Sequence, residues 1–116
     1  MSSFIKKKLS ASTDAKGIKI SSIETPGTLI HTSVVGTNSF DEIWIWATNL
    51  DTVTREITLE WGDASYPDSS IKFPVAAQDG LKLIIPGLIL QNSLEVRAFT
   101  ETIDVLIAHG FVNLIS

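Results

Sequence analysis

The chain has 116 residues, 44% of them hydrophobic and 19% charged, with a net charge of -4 and no cysteine. That length fits one domain able to bury a core of its own. The acidic balance supplies no field for holding nucleic acid, and the lack of thiols removes disulfides, thiolate metal sites and cysteine nucleophiles.

The first residues, Met1 to Leu9, are basic at Lys6, Lys7 and Lys8 but have no apolar stretch behind them, so they do not read as a signal peptide. Ser10 to Thr13 reads as flexible or edge-strand sequence. Residues 1–14 are therefore expected to form an N-terminal arm, outside a β-sandwich domain spanning 15–116. In that arm Phe4 and Ile5 would anchor on a neighbouring subunit while Lys6, Lys7 and Lys8 pair with its acidic groups.

Lys16 to Glu24 is predicted as a first strand, and Thr25-Pro26-Gly27 as a turn, because Pro fixes φ and Gly permits positive φ. Thr28 to Val35 is a second strand, broken by Gly36 to Ser39. Glu42 to Thr48 is a third, with Trp44 and Trp46 opposite Ile43, Ile45 and Ala47. Val53 to Trp61 alternates cleanly, placing Ile57, Leu59 and Trp61 inward and Glu56, Thr58 and Glu60 on a solvated face. Gly62 to Ser70 is a polar loop. Ile71 to Val75 and Leu81 to Ile85 are short strands, Pro86-Gly87 a turn, Leu94 to Phe99 a strand, and Ile103 to Ile115 a long last strand that bends at Gly110. The segment Leu81 to Leu90 is far too short to span a bilayer, so no membrane partner is expected. The whole is an all-β chain, an antiparallel sandwich or jelly-roll of about eight strands in one domain.

Three strands are apolar on both faces: the second, the third and the last. A two-layer sandwich solvates one face of each sheet, so these need a second cover, from loops, from the N-terminal segment or from another subunit.

No motif for catalysis stands out. His31 and His109 sit in predicted strands with no carboxylate or second His at ligand spacing, and are read as structural. Asp51, Asp63 and Asp68 lie in loops without the dense pattern of a calcium site, and suit turn chemistry. Glu56 and Glu60 lie on one strand face and read as a solvated edge instead of a glycosidase pair. Trp44, Trp46, Trp61 and Tyr66 raise a sugar-stacking platform as an alternative; Trp61 shares its face with Ile57 and Leu59 and is expected in the core. Trp44 and Trp46 are candidates either for the core or for anchoring a partner. No catalytic, cofactor or metal residue is assigned, and no enzyme activity is expected.

The stretches Pro26-Gly27-Thr28-Leu29-Ile30-His31-Thr32, Ser39-Phe40-Asp41-Glu42-Ile43-Trp44 and Ala47-Thr48-Asn49 belong together as a pattern with Thr58-Leu59-Glu60-Trp61-Gly62, Arg97-Ala98-Phe99 and Gly110-Phe111-Val112-Asn113. The pattern resembles small virion proteins of tailed bacteriophages, over residues 26–115. The resemblance implies a sandwich or jelly-roll that decorates or cements the capsid exterior, a homotrimer bound to the major capsid protein or other virion proteins, made in the host cytoplasm. Other phage structural roles (minor tail, head-fibre or connector subunit) and a carbohydrate-binding module remain as alternatives. The residues before Pro26, including Lys6 to Lys8, lie outside the resemblance.

Overall fold

The computed structural model describes residues 3–116, which hold nine strands and no helix. In chain order these are β1 (Phe4–Lys8), β2 (Ile18–Lys19), β3 (Thr28–Thr32), β4 (Phe40–Asn49), β5 (Arg55–Gly62), β6 (Ser70–Val75), β7 (Lys82–Leu90), β8 (Glu95–Thr100) and β9 (Leu106–Ile115).

All pairings are antiparallel and they nest. β5 pairs with β6, β4 with β7, β3 with β8, and both β1 and β2 with β9. The chain is thus one long hairpin closed at β5–β6 and rolled into two layers. Lateral pairs β4·β9 and β5·β8 complete the sheets, in the orders β1-β9-β4-β7, with β2 also on β9, and β3-β8-β5-β6. This nesting across two packed sheets is the strand order of a jelly-roll sandwich.

The core follows from period-two patterning. β4 alternates strictly, turning Ile43, Ile45 and Ala47 inward, while β9 contributes Leu106, Ala108 and Val112. The opposite layer supplies Ile57, Leu59, Val75, Val96, Ala98 and Ile30. Each Val, Leu or Ile side chain among these contributes about 1.5–3 kcal/mol when fully buried. Trp61 packs against this core, as its face predicts.

Three expectations are corrected. The N-terminal segment is not an arm: Phe4 to Lys8 forms the edge strand β1 on β9, in register from Phe4↔Ile115 to Lys8↔Phe111. It continues to Leu9, which is 1% exposed and belongs to the core. The reason is that β9 would otherwise present an open row of backbone donors and acceptors along Phe111–Ile115. One step before β1 the backbones of Ser3 and Ser116 exchange two hydrogen bonds, at 2.9 and 3.1 Å.

Pro86-Gly87 is not a turn between elements but lies inside β7. The β4·β7 register shifts between Ile43 and Trp44 and again between Ile45 and Trp46. β7 is an edge strand, where a proline lacking N–H is tolerated, and Gly87 takes the positive φ of a bulge (83°). The polar face of β5 is not solvated at Thr58 and Glu60, both 4% exposed. The turn before β3 folds onto Glu60, whose carboxylate accepts the Gly27 N–H at 2.6 Å and the Thr25 hydroxyl. β9 runs through Gly110 in unbroken register with β4.

Candidate functional site

The outer face of the five-stranded sheet carries the most distinctive surface of the molecule. Alternation along β4 points Glu42, Trp44 and Trp46 outward, and β9 answers with Asn113, Phe111 and His109 in direct register. Trp44, Trp46 and Phe111 stack with ring centroids 5.8–6.4 Å apart. Lys6 of β1 places Nζ 4.4 Å from the Phe111 ring centre, a cation–π contact. On the other side the Trp44 indole lies close over Gly87 of β7, leaving little room for a Cβ there, 3.0 Å from ring atom Cζ2. A single row, Lys6–Phe111–Trp44–Gly87, therefore crosses four strands.

The row is held in place. Trp44 Nε1 donates to Glu42 Oε1 at 2.8 Å, and Asn113 Nδ2 donates to the same oxygen at 3.1 Å. These two donors, Trp44 first, hold the Glu42 carboxyl below the usual carboxylate range. Exposed Leu83 lies opposite Trp46 and exposed Ile89 opposite Glu42 on the same face, and exposed Phe4 lies farther along β9, opposite Ile115. Such a face offers ring surfaces, aliphatic rim and one ammonium to a partner.

The other sequence candidates disperse. Ile5 is exposed, opposite Leu114 on the same ladder. Lys8 Nζ donates to the Ser12 carbonyl at 2.9 Å, and Lys7 turns inward, Nζ lying 3.6 Å from Asp41 Oδ1. The three lysines thus serve three different contacts within their own domain instead of one basic patch. Tyr66 is exposed on a loop beside Lys72, far in sequence from the Trp pair. His109 packs its ring over Gly17.

A buried polar seam was not legible in the sequence. His31 of β3 and Asp41 of β4 meet across the two sheets, Nε2 to Oδ2, at 2.7 Å, both fully buried. Ser10 N–H donates to His31 Nδ1 at 3.0 Å, and Asp41 Oδ2 also accepts Val34 N–H at 3.2 Å. With Nδ1 accepting, the ring is the neutral tautomer protonated at Nε2. Burial, partly opposed by Asp41, pushes its pKa below the ordinary 6.5. Both nitrogens are engaged, so His31 offers no free lone pair for a metal or a substrate proton. The available signal was Asp41 itself, a carboxylate in phase with Ile43 and Ile45 on the inward face.

Turn chemistry accounts for two loop acids: Asp51 accepts from Thr52 N–H and from Arg55, and Asp63 accepts from Ser65 N–H. Among the described residues no three His, Asp or Glu side chains converge as a metal site. A cleft of about 330 Å³ is lined by Glu60, Asp63, Glu95 and Arg97 together with apolar Pro26, Ala64 and Leu94, and its charged groups are engaged: Arg97 holds Glu95 and the Gly27 carbonyl, each at 3.0 Å.

Comparison with known protein families, curated proteins and solved structures finds no match.

Proposed function

We propose that this chain is a non-enzymatic structural protein of a tailed-phage virion, a decoration or cement subunit that holds the capsid exterior through the outer face of its five-stranded sheet. The observation that carries the reading is the Trp44–Phe111–Trp46 stack, with exposed Leu83 and Ile89 on the same face. Trp-centred patches dominate interface energies, and contiguous apolar faces are uncommon on proteins that act alone. A rigid sheet presents the patch with little ordering cost on binding. Repetition over a capsid would turn modest single contacts into firm attachment. A trimer, the stoichiometry the resemblance implies, would bring such faces together at one lattice position.

The test is co-sedimentation with capsids lacking the protein, comparing the native chain with a Trp44→Ala/Trp46→Ala double variant. The native chain is expected in the pellet, and the variant in the supernatant with its β-sheet circular dichroism intact. A native chain that stays soluble overturns the reading. The same stack favours one second reading, a carbohydrate-binding module, since sugar faces pack on aromatic rings. Glycan-array binding lost in the double variant, together with no capsid binding, would select it.

A further inference from the structure

Past β1 the chain crosses from the edge of one sheet to the edge of the other. Leu9 enters the core, Ser10 Oγ accepts Thr32 N–H at 2.7 Å, and Ala11 N–H donates to the Ile30 carbonyl at 3.2 Å. Four of the five β1 side chains are exposed; the fifth, Lys7, reaches Asp41. Side chains anchor this segment at Leu9, Ser10 and Ala11, and Lys7 ties β1 to the His31–Asp41 pair.

We propose that His31 is an acid-sensitive latch holding β1 and the Leu9–Ser12 segment against the sandwich. The geometry gives the latch a direction. A proton added to Nδ1 would face the Ser10 N–H at 3.0 Å, donor against donor. The new imidazolium would also repel the Lys7 ammonium. Both disfavoured groups lie on the N-terminal segment. The one group that an imidazolium attracts, Asp41, lies on β4 and already holds Nε2 at 2.7 Å.

Buried Asp41 is served in the closed state by Lys7 as counter-charge. Protonated His31 takes over that role and leaves Lys7 dispensable. Asp41 and Lys7 are the charged groups acting on His31. Glu95, across from Thr32 on neighbouring β8, turns to Arg97 instead. Release would uncover the Phe111–Ile115 edge of β9 and withdraw Lys6 from the Phe111 ring, while β4, β7 and the second sheet keep their pairing.

The experiment is hydrogen exchange on the full chain between pH 7.5 and 5, corrected for intrinsic rates. It is read at residues 4–12 and, as reference, at the β4 amides of Ile43 to Ala47. Protection of residues 4–12 should fall by up to about tenfold per pH unit across the pH range in which release takes up one proton at His31, with β4 unchanged. His31→Gln should abolish that dependence. Ring-nitrogen NMR of the native chain provides the second reading, free of any folding defect in the variant. It should report the Nε2–H tautomer at pH 7.5 and a titration that coincides with strand release. Flat protection, release that does not track the His31 titration, persistence of the effect in His31→Gln, or simultaneous loss at β4 would each overturn the latch.

Discussion

The side-chain amide of Asn49 donates to the backbone carbonyl of Val75 at 2.9 Å, joining the end of β4 in one sheet to the end of β6 in the other. The same amide donates to the Val53 carbonyl at 2.9 Å, and its oxygen accepts Asp51 N–H at 2.9 Å. Asn49 is fully buried. Asn49→Leu would leave these backbone groups short of partners inside the protein, at a cost of about 2 kcal/mol or more. Urea unfolding of the variant, with the slope checked against the native chain, measures it; an unchanged midpoint would mean that water replaces the amide fully.

Leu9 separates the dispensable part of the N-terminal segment from the indispensable part. Leu9→Ala is expected to cost about 2–5 kcal/mol, the range for emptying a buried leucine site. Deleting residues 1–6 removes only exposed side chains among those described and should leave the sandwich folded. Deleting 1–9 also removes Leu9 and the Lys7 partner of Asp41, and should lower the melting temperature sharply. Equal melting temperatures for the two truncations would contradict the assignment of Leu9 to the core.

Stability should depend on pH through His31. Burial lowers its pKa in the folded state below 6.5. Between that lowered value and 6.5 the unfolded chain binds more protons than the folded one, so stability rises with pH across the window. The contribution is complete above 6.5 and is lost as pH falls through the window. Denaturant midpoints measured from pH 8 down to 5 should decline below 6.5 in the native chain, and decline less in His31→Gln.

Gly87→Ala probes the stack. The added Cβ would sit 3.0 Å from Trp44 Cζ2, at a backbone φ of 83° that L residues rarely adopt. A destabilisation of about 1–2 kcal/mol is expected from the conformation alone. The Trp44 ring must also shift, so tryptophan emission should change. Emission identical to the native chain would mean that the indole is not seated on Gly87.

Strand alternation made the sandwich readable: Ile43, Ile45, Ala47, Ile57 and Leu59 lie where period two places them. That Trp44 and Trp46 share one face was readable for the same reason, but not that this face is the outer one. Alternation sets Phe111 on the face opposite Ala108 and Val112, yet nothing local said that β9 would lie beside β4. That neighbour relation spans more than sixty residues of chain and depends on the nested roll. The His31–Asp41 contact escaped for a related reason: the two residues are ten apart but belong to different sheets, and no spacing rule covers a contact through the core. Glu60 looked solvated because strand parity says which way a side chain points and not what folds over it. The N-terminal segment was misread because exposed side chains on an edge strand resemble those of a free tail; its hold on the domain comes from backbone hydrogen bonds, to which side-chain patterning is blind.

The double hydrogen bond between Ser3 and Ser116 has a practical reach. Polypeptide joined ahead of Ser3 and polypeptide joined after Ser116 leave from the same corner, side by side. A tag, reporter or second module at either position would occupy one shared location, and two passengers would meet each other. A short Gly-Ser bridge between these positions would close the chain into a ring without crossing either sheet, and new ends could then be opened at an exposed loop such as Ala64 to Asp68.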